Sequence, residues 1–300
     1  SSFQMASPLN KNRSQLAMFL ITQADGIRVV SERIKDSITK FKPPTPFLLL
    51  CKTLKPIIYF KYKLSRNSNS FEAYMESYRR KGCGGKLKKD AKISILPIFV
   101  DVKKIKETQS TFSLRDKYRQ FDFIILMASR LEKEKNIPLA IDLMKDIVEN
   151  YPKVGLVIVG DGLERDRLQR KVSKNKLMSN VIFEGWQNDL ISYYKSADLF
   201  LSTSNYEGYG MTLIETASSG CPVLATDVGL VGDVLREESI GICKVGDKKC
   251  FLKKLKEILN NKSILITMSE NAKKDIEKRT TSSQEEYLSE FKKGWEVCFE

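Results

Sequence analysis

The stretch from Asn205 to Gly220 reads NYEGYGMTLIETASSG and carries two acids, Glu207 and Glu215, eight positions apart. Gly208-Tyr209-Gly210 and the apolar run Met211-Thr212-Leu213-Ile214 lie between them. Before it comes a strand-length apolar run, Asp198 to Ser204, and after it Gly220 and Pro222 stop a helix and restart an extended segment. The pattern is strand, glycine-rich turn, helix. Glycines let backbone approach a ligand closely, and the first N–H groups of a helix have no partner within it. Gly210, Met211 and Thr212 therefore form an expected phosphate site. Glu207 stands on the turn. Glu215, about one turn into the helix, can take a vicinal diol with its two carboxylate oxygens. A purely structural reading stands beside this one: any strand-to-helix crossover can contain Gly-x-Gly, and the helix dipole alone favours an acid near its start.

Outward from this stretch the chain is regular. Apolar runs begin near Phe121, Val154, Val181, Asp198, Pro222 and Gly241. Amphipathic stretches at 137–150, 163–177, 189–196, 210–219 and 231–237 separate them. Alternation of this kind predicts an α/β domain with a doubly wound parallel sheet. Ligands on such a sheet sit off the carboxyl ends of the strands where the order reverses, between strands 1 and 4 of the order 3-2-1-4-5-6. Strand 1 then ends at Ser129-Arg130, and strand 4 runs into Asn205–Gly210. Arg130 and Lys135, in SRLEKEKN, would face the glycine turn across one crevice. A planar guanidinium and an ammonium both suit a diphosphate. Either residue alone reads equally as a solvated loop cation; their shared placement favours the site. Gly160-Asp161-Gly162 lacks the third glycine of a dinucleotide fingerprint, with Arg165 in its place, and is a weak nicotinamide-cofactor signal.

Composition narrows the function. The chain has 300 residues, no histidine, six cysteines and a net charge of +14. Without histidine there is no Ser-His-Asp triad, no imidazole base and no imidazole metal ligand. No cysteine pair is spaced CxxC and no secretory-signal pattern occurs, so reduced thiols are expected rather than disulfides or zinc. No run reaches the roughly 18 uncharged apolar residues of a spanning helix. From Lys40 to Asp90 thirteen Lys or Arg stand against three Asp or Glu. That surplus suits an anionic membrane surface, phosphates or nucleic acid, although lysine runs are more often simply solvated.

The front of the chain is less regular. Leu16, Phe19 and Leu20 fall at helical spacing, Ile27 to Val30 resembles a short strand, and Ser31 can cap a helix ended by Pro43, Pro44 and Pro46. GCGGK at 82–86 lacks phosphate-loop spacing and reads as a loop. Residues 93–100 are extended and 101–120 read as a polar linker. Only helices are expected after Gly246, the last placing Leu288, Phe291 and Trp295 on one face.

Together, SRLEKEKNIPLAIDLM, VIVGDGLERDRLQ, VIFEGW and YYKSADLFLSTSNYEGYGMTLIETASSGCPVLATDVG resemble the family 4 retaining glycosyltransferases, also called glycosyl transferases group 1. The resemblance is strong over about 120–245 and fair at 24–35, near Pro97 and in the last helix. It implies the two-domain GT-B fold. By position it places Arg130 and Lys135 on the donor diphosphate, Glu215 on the ribose, Glu207 near the transferred sugar, and the Gly210, Met211 and Thr212 N–H groups on phosphate or sugar. Trp186 would lie beside the base, although a core aromatic is an equal reading. The implied partners are a nucleotide-sugar donor and a glycan or lipid-linked acceptor, with no cofactor and no metal.

Three departures stand out. Asn136 replaces the usual glycine after the lysine, which is tolerable because Asn accepts the left-handed conformation. Val228-Gly229-Leu230 replaces a commoner double glycine. The family's N-terminal glycine-rich loop and histidine have no counterpart, so a chain lacking the front of that domain is expected. The expected organisation is a partial acceptor-side domain at 1–100 with a basic insertion at 43–90, a nucleotide-sugar domain at 101–278, and a returning helix at 279–300. The expected activity is retaining, metal-independent sugar transfer for cell-envelope polysaccharide, in the cytoplasm and peripherally at the inner face of an anionic membrane. The rivals are a non-catalytic nucleotide-sugar-binding module and a basic nucleic-acid-binding protein. The latter is disfavoured because the cations cluster without recognition motifs.

Overall fold

A computed structural model of the chain describes residues 26–29, 92–280 and 283–299. These fall into two compact units, one spanning 96–292 and the other holding the first two strands and residues 293–299. In the second of these, β1 (Gly26–Val29) pairs in parallel with β2 (Lys92–Ile95). The expected helices before Pro43 and the basic segment 43–90 lie outside the described residues.

The 96–292 unit is built on a six-stranded parallel sheet. Its strands are β3 (Phe123–Ala128), β4 (Val154–Val159), β5 (Val181–Gly185), β6 (Leu199–Ser202), β7 (Val223–Thr226) and β8 (Gly241–Cys243). Their spatial order is β5-β4-β3-β6-β7-β8, which is 3-2-1-4-5-6 counted within this sheet. The order reverses between β3 and β6. Every residue of β3 and β4 is buried, as both faces of the sheet are covered, and so FIILMA and VGLVIV read as continuous apolar runs rather than alternating ones.

The described helices are α1 (Val102–Glu107), α2 (Leu114–Lys117), α3 (Ile137–Val148), α4 (Arg165–Lys174), α5 (Leu190–Ser196), α6 (Met211–Ser218), α7 (Lys248–Asn260), α8 (Ser263–Arg279) and α9 (Gln284–Phe299), of which α3 to α6 are the crossovers between strands. Chain direction on the sheet sorts them. α3 packs with α4 and α7 over one face, and α6 packs with α5 and α8. The first layer buries Ile141, Leu143, Leu168, Phe251 and Leu255 against Phe123, Ile125, Leu156 and Ile158. Burying a leucine or isoleucine side chain of this kind contributes about 1.5–3 kcal/mol.

Three sequence expectations need correction. Residues 101–120 are not a linker but hold α1 and α2. Asp101 accepts from the Lys104 N–H and Ser113 from the Arg115 N–H, and Ile105 and Leu114 are buried. Caps and single apolar anchors make short helices that periodicity does not reveal. Residues 231–237 form turns around a bridge between Val231 and Leu235 rather than a helix. Gly232 there has φ +87°, and Val231, Val234 and Leu235 are buried while Gly232, Arg236 and Glu237 are exposed, so a run of turns shows the apolar spacing of an amphipathic helix. Third, reduced thiols are not found at Cys243 and Cys250, whose sulfurs are bonded to each other. The end of β8 and the first turn of α7 converge there, which a seven-residue spacing does not announce. Cys221 is free and buried, and burial pushes its thiol up out of the ordinary range.

Candidate active site

The site begins where β3 stops. Arg130 follows the strand with a side chain 61% exposed, paired with Glu134 four residues on at 3.2 Å. A single 3-10 turn, Lys133–Lys135, then aims Lys135 inward. Asn136 takes the left-handed conformation, φ +46° and ψ +39°, that the sequence expected it to tolerate, and starts α3. Gly160 makes room for this loop: with φ +127°, a Cβ there would lie 2.0 Å from the Ser129 carbonyl oxygen. The Leu131 N–H donates to Asp161 O at 2.8 Å and the Glu164 N–H to Leu131 O at 2.9 Å. Gly160-Asp161-Gly162 is thus a strap for the Arg130 loop.

The loop after β6 is stitched to the same place. The Asn205 N–H donates to Glu134 O at 2.7 Å, and Thr203 Oγ1 donates to the Asn136 carbonyl at 3.0 Å. Glu207 then meets Lys135, whose ammonium donates to both carboxylate oxygens at 2.7 and 2.8 Å. Ser204 Oγ donates to Glu207 Oε1 at 2.7 Å. The two charged side chains are only 15% and 14% exposed.

Gly210, at φ +98°, caps α6 without any side-chain hydrogen bond, so the first N–H groups of the helix, at Met211 and Thr212, have no side-chain capping oxygen. Met211 is exposed. The helix ends as the sequence indicated: Gly220 has φ +86°, with the Gly220 N–H on Ala217 O and the Cys221 N–H on Thr216 O. Glu215 lies half-buried one turn into α6 and accepts from the Tyr194 hydroxyl of α5 at 3.1 Å. Burial raises the Glu215 carboxyl above its ordinary value, while the Tyr194 bond pulls it partly back. Burial, with Glu215 beside it, also pushes the Tyr194 phenol up, so it stays a donor.

Trp186, in the turn after β5, is 70% exposed, and its indole N–H donates to Asn188 Oδ1 at 3.3 Å. The core-aromatic reading of Trp186 therefore falls. Gly185 and Gly160 are bonded through their backbones, so Trp186 is on the same carboxyl edge as the Arg130 loop.

Sequence reasoning passed over Glu134, Ser204 and Tyr194, and noted Gly229 only as part of a departure from the family pattern. Spacing alone signals Glu134, four residues after Arg130. Gly229, at φ +63°, presses on the donor loop, where a Cβ would lie 2.4 Å from Tyr209 O and 2.9 Å from Glu207 Cβ. Its neighbour Leu230 is fully buried and donates its N–H to Tyr209 O at 2.8 Å.

The switch-point site can be set against known proteins. Residues 113–275, more than half the chain, match the family described as Glycosyl transferases group 1. The chain belongs to this family. It is 30% identical over 145 residues to the alpha-monoglucosyldiacylglycerol synthase of Streptococcus pneumoniae, covering 48% of this chain and 32% of that protein. It is 28% identical over 192 residues to the UDP-Gal:alpha-D-GlcNAc-diphosphoundecaprenol alpha-1,3-galactosyltransferase of Escherichia coli, covering 62% and 49%. The chain thus spans about a third to a half of the length of these relatives. Among solved structures, a variant of S. aureus TarM in complex with Fondaparinux, alpha-GlcNAc-glycerol and UDP superposes with a TM-score of 0.67 at 18% identity, over 97% of this chain and 48% of that one. The α/β fold expected from the sequence, of GT-B type, is therefore the observed one.

Proposed function

We propose that the chain carries the donor side of a family 4 glycosyltransferase, which moves a sugar from a nucleoside diphosphate to an acceptor hydroxyl with retained anomeric configuration. The observation that carries this is the Lys135–Glu207 pair, lodged at the switch point beside the uncapped start of α6. Arg130, Lys135 and the Gly210, Met211 and Thr212 N–H groups would hold the diphosphate. Glu215 would take the ribose hydroxyls, and Trp186 would lie beside the base. As the C1–oxygen bond breaks, positive charge spreads over the sugar and negative charge gathers on the leaving diphosphate. Fixed donors aimed at that charge stabilise the transition state without reorganising. The departing phosphate oxygen takes the proton of the acceptor hydroxyl as it bonds to C1 from the same face. Glu207 would hydrogen-bond the sugar hydroxyls.

The countercharge in this reading comes from Arg130 and Lys135 rather than a metal ion, so transfer is insensitive to chelator. The acceptor class, glycan or lipid-linked, follows the substrates named for the relatives, one a diacylglycerol glycolipid enzyme and one a diphosphoundecaprenol enzyme. No described helix is long and apolar enough to cross a membrane; a cytoplasmic place at the membrane's inner face belongs to the same proposal. Calorimetric titration with UDP and GDP, then with their sugars, tests the donor side. Saturable binding that Lys135→Ala abolishes supports it, and absence of binding to either diphosphate refutes it. Product formation with EDTA present tests the chemistry.

A further inference from the structure

A second cleft, of about 510 Å³, lies beside α2 and α5, lined by Phe112, Ser113, Asp116, Lys117, Gln187 and Tyr193. Its size is within the range of small-molecule sites, roughly 300–1,000 Å³. The donor residues do not line it.

The walls are preorganised. The Phe112 and Tyr193 rings meet edge to face at 4.9 Å. Behind them is Glu184, with a side chain only 8% exposed. It accepts from Lys117 Nζ at 2.7 Å and from the Tyr118 hydroxyl. Tyr193 donates to it as well. Burial alone would push the Glu184 carboxyl up, but these donors hold it below the ordinary value. Gln187 is fixed by its own bond, Nε2 to Glu184 O at 3.0 Å. Asp189, at the mouth of α5, is bonded to Thr111 and Ser192.

The charge decides the ligand class. Asp116 and Glu184 bring two carboxylates, while Lys117 is already bound to Glu184. Arg115, the nearest other cation on α2, is paired with Asp198. Both nearby cations are paired and the starts of α2 and α5 are capped by Ser113 and Asp189, so, unlike the uncapped start of α6, this lining does not favour phosphate or an acidic headgroup. An aromatic wall beside a carboxylate, a primary amide and a hydroxyl instead matches a neutral polyhydroxyl ring, which has apolar C–H faces and an equator of donors and acceptors.

We propose that this cleft binds a neutral saccharide, one ring face against Phe112, which the buried Tyr193 ring backs, and its hydroxyls on Asp116, Ser113 and Gln187. The site is separate from the donor crevice yet joined to it by one helix. Tyr193 of α5 faces the cleft, and the next residue, Tyr194, holds Glu215. A glycan bound here would therefore lie within the same unit as the donor.

Maltotriose and tri-N-acetylchitotriose are the probes, titrated by calorimetry and tryptophan fluorescence against the full chain. At least one of them is expected to bind in the millimolar range or tighter. Asp116→Ala and Gln187→Ala should each weaken that binding at least ten-fold and leave UDP affinity unchanged, whereas Glu215→Gln should weaken UDP and leave the saccharide alone. Absence of binding by both probes at about 10 mM overturns the inference. So does competition between UDP and saccharide for one site, or indifference of saccharide affinity to both cleft variants. Saccharide binding without UDP binding upholds the cleft and refutes the donor reading instead.

Discussion

The Lys135 ammonium chelates the Glu207 carboxylate, 72 residues away in sequence, through bonds of 2.7 and 2.8 Å. The pair joins the β3 loop to the β6 loop at the reversal of strand order. Each charge is shielded from water, so each depends on the other. Removing one partner of a buried pair leaves an uncompensated charge, while replacing both can be nearly neutral.

Lys135→Met is therefore expected to lower stability by about 1.5–3 kcal/mol, the range for hydrogen bonds to charged groups. Adding Glu207→Gln should restore part of it. Urea denaturation of both single variants and the double variant measures the coupling. Additive losses would show that the pair is not a unit.

Glu215→Gln should separate binding from stability. Its amide oxygen still accepts from Tyr194, but it takes the ribose hydroxyls without a charge, so donor affinity should fall by about 1.5–3 kcal/mol. Stability should move the other way. Burial raises the Glu215 carboxyl in the folded chain above 4.5, its ordinary value. The folded state then binds more protons than the unfolded state, and the wild-type chain loses stability as pH rises from 4.5 through the folded value. The glutamine variant escapes this loss. Its unfolding midpoint should exceed wild type at neutral pH, with the margin shrinking toward acid. A margin independent of pH would contradict the burial account.

Gly229 and Gly246 share a left-handed backbone but differ in surroundings. Gly229 has the Tyr209 carbonyl 2.4 Å from a hypothetical Cβ, and Gly246 has nothing within 4 Å. Gly246→Ala should cost only the left-handed penalty, about 1–2 kcal/mol. Gly229→Ala must in addition push the Glu207–Tyr209 backbone, so donor affinity should fall along with stability. Equal effects of the two variants on UDP binding would refute the loop-positioning role.

Much of this was legible because parallel strands buried on both faces leave unbroken apolar runs. Those runs placed β3 to β8, and the strand-order rule then brought Arg130, Lys135 and Glu207 to one edge. What stayed hidden has local causes. α1 and α2 rest on caps at Asp101 and Ser113 rather than on periodicity. The turns at 231–237 bury Val231, Val234 and Leu235 at the i, i+3, i+4 spacing of a helix, so their apolar residues imitate one. Tyr194 reaches Glu215 from another helix, where spacing says nothing about distance, and Ser204 acts on Glu207 three residues on, a local bond that no motif signals. The roles given to the site residues rest on the family resemblance as well as on geometry.

The basic segment, 43–90, lies outside the described residues, so its role rests on charge alone. Peripheral contact with an anionic membrane is the expectation, at about 1 kcal/mol for each Lys or Arg near the surface. Cosedimentation with phosphatidylglycerol vesicles should fall steeply with salt and be absent with neutral phosphatidylcholine. Binding indifferent to both would remove the membrane from the list of partners.

The last expectation is that residues 1–300 by themselves bind donor far better than they turn it over. Transfer needs the acceptor oxygen held about 3–3.5 Å from C1. The donor elements are all in the 96–292 unit, whereas the chain covers 32% and 49% of two catalytic relatives. Residues 1–300 hold no histidine, so they do not themselves supply the one that the resemblance expects from the N-terminal domain. Turnover should fall at least about a hundred-fold below the roughly 1–10³ s⁻¹ typical of enzymes, while UDP still binds. Radiolabelled-sugar transfer to diacylglycerol, polyprenol-linked and oligosaccharide acceptors measures this. Sustained multiple turnover by the purified chain would show that the acceptor side is complete within these residues.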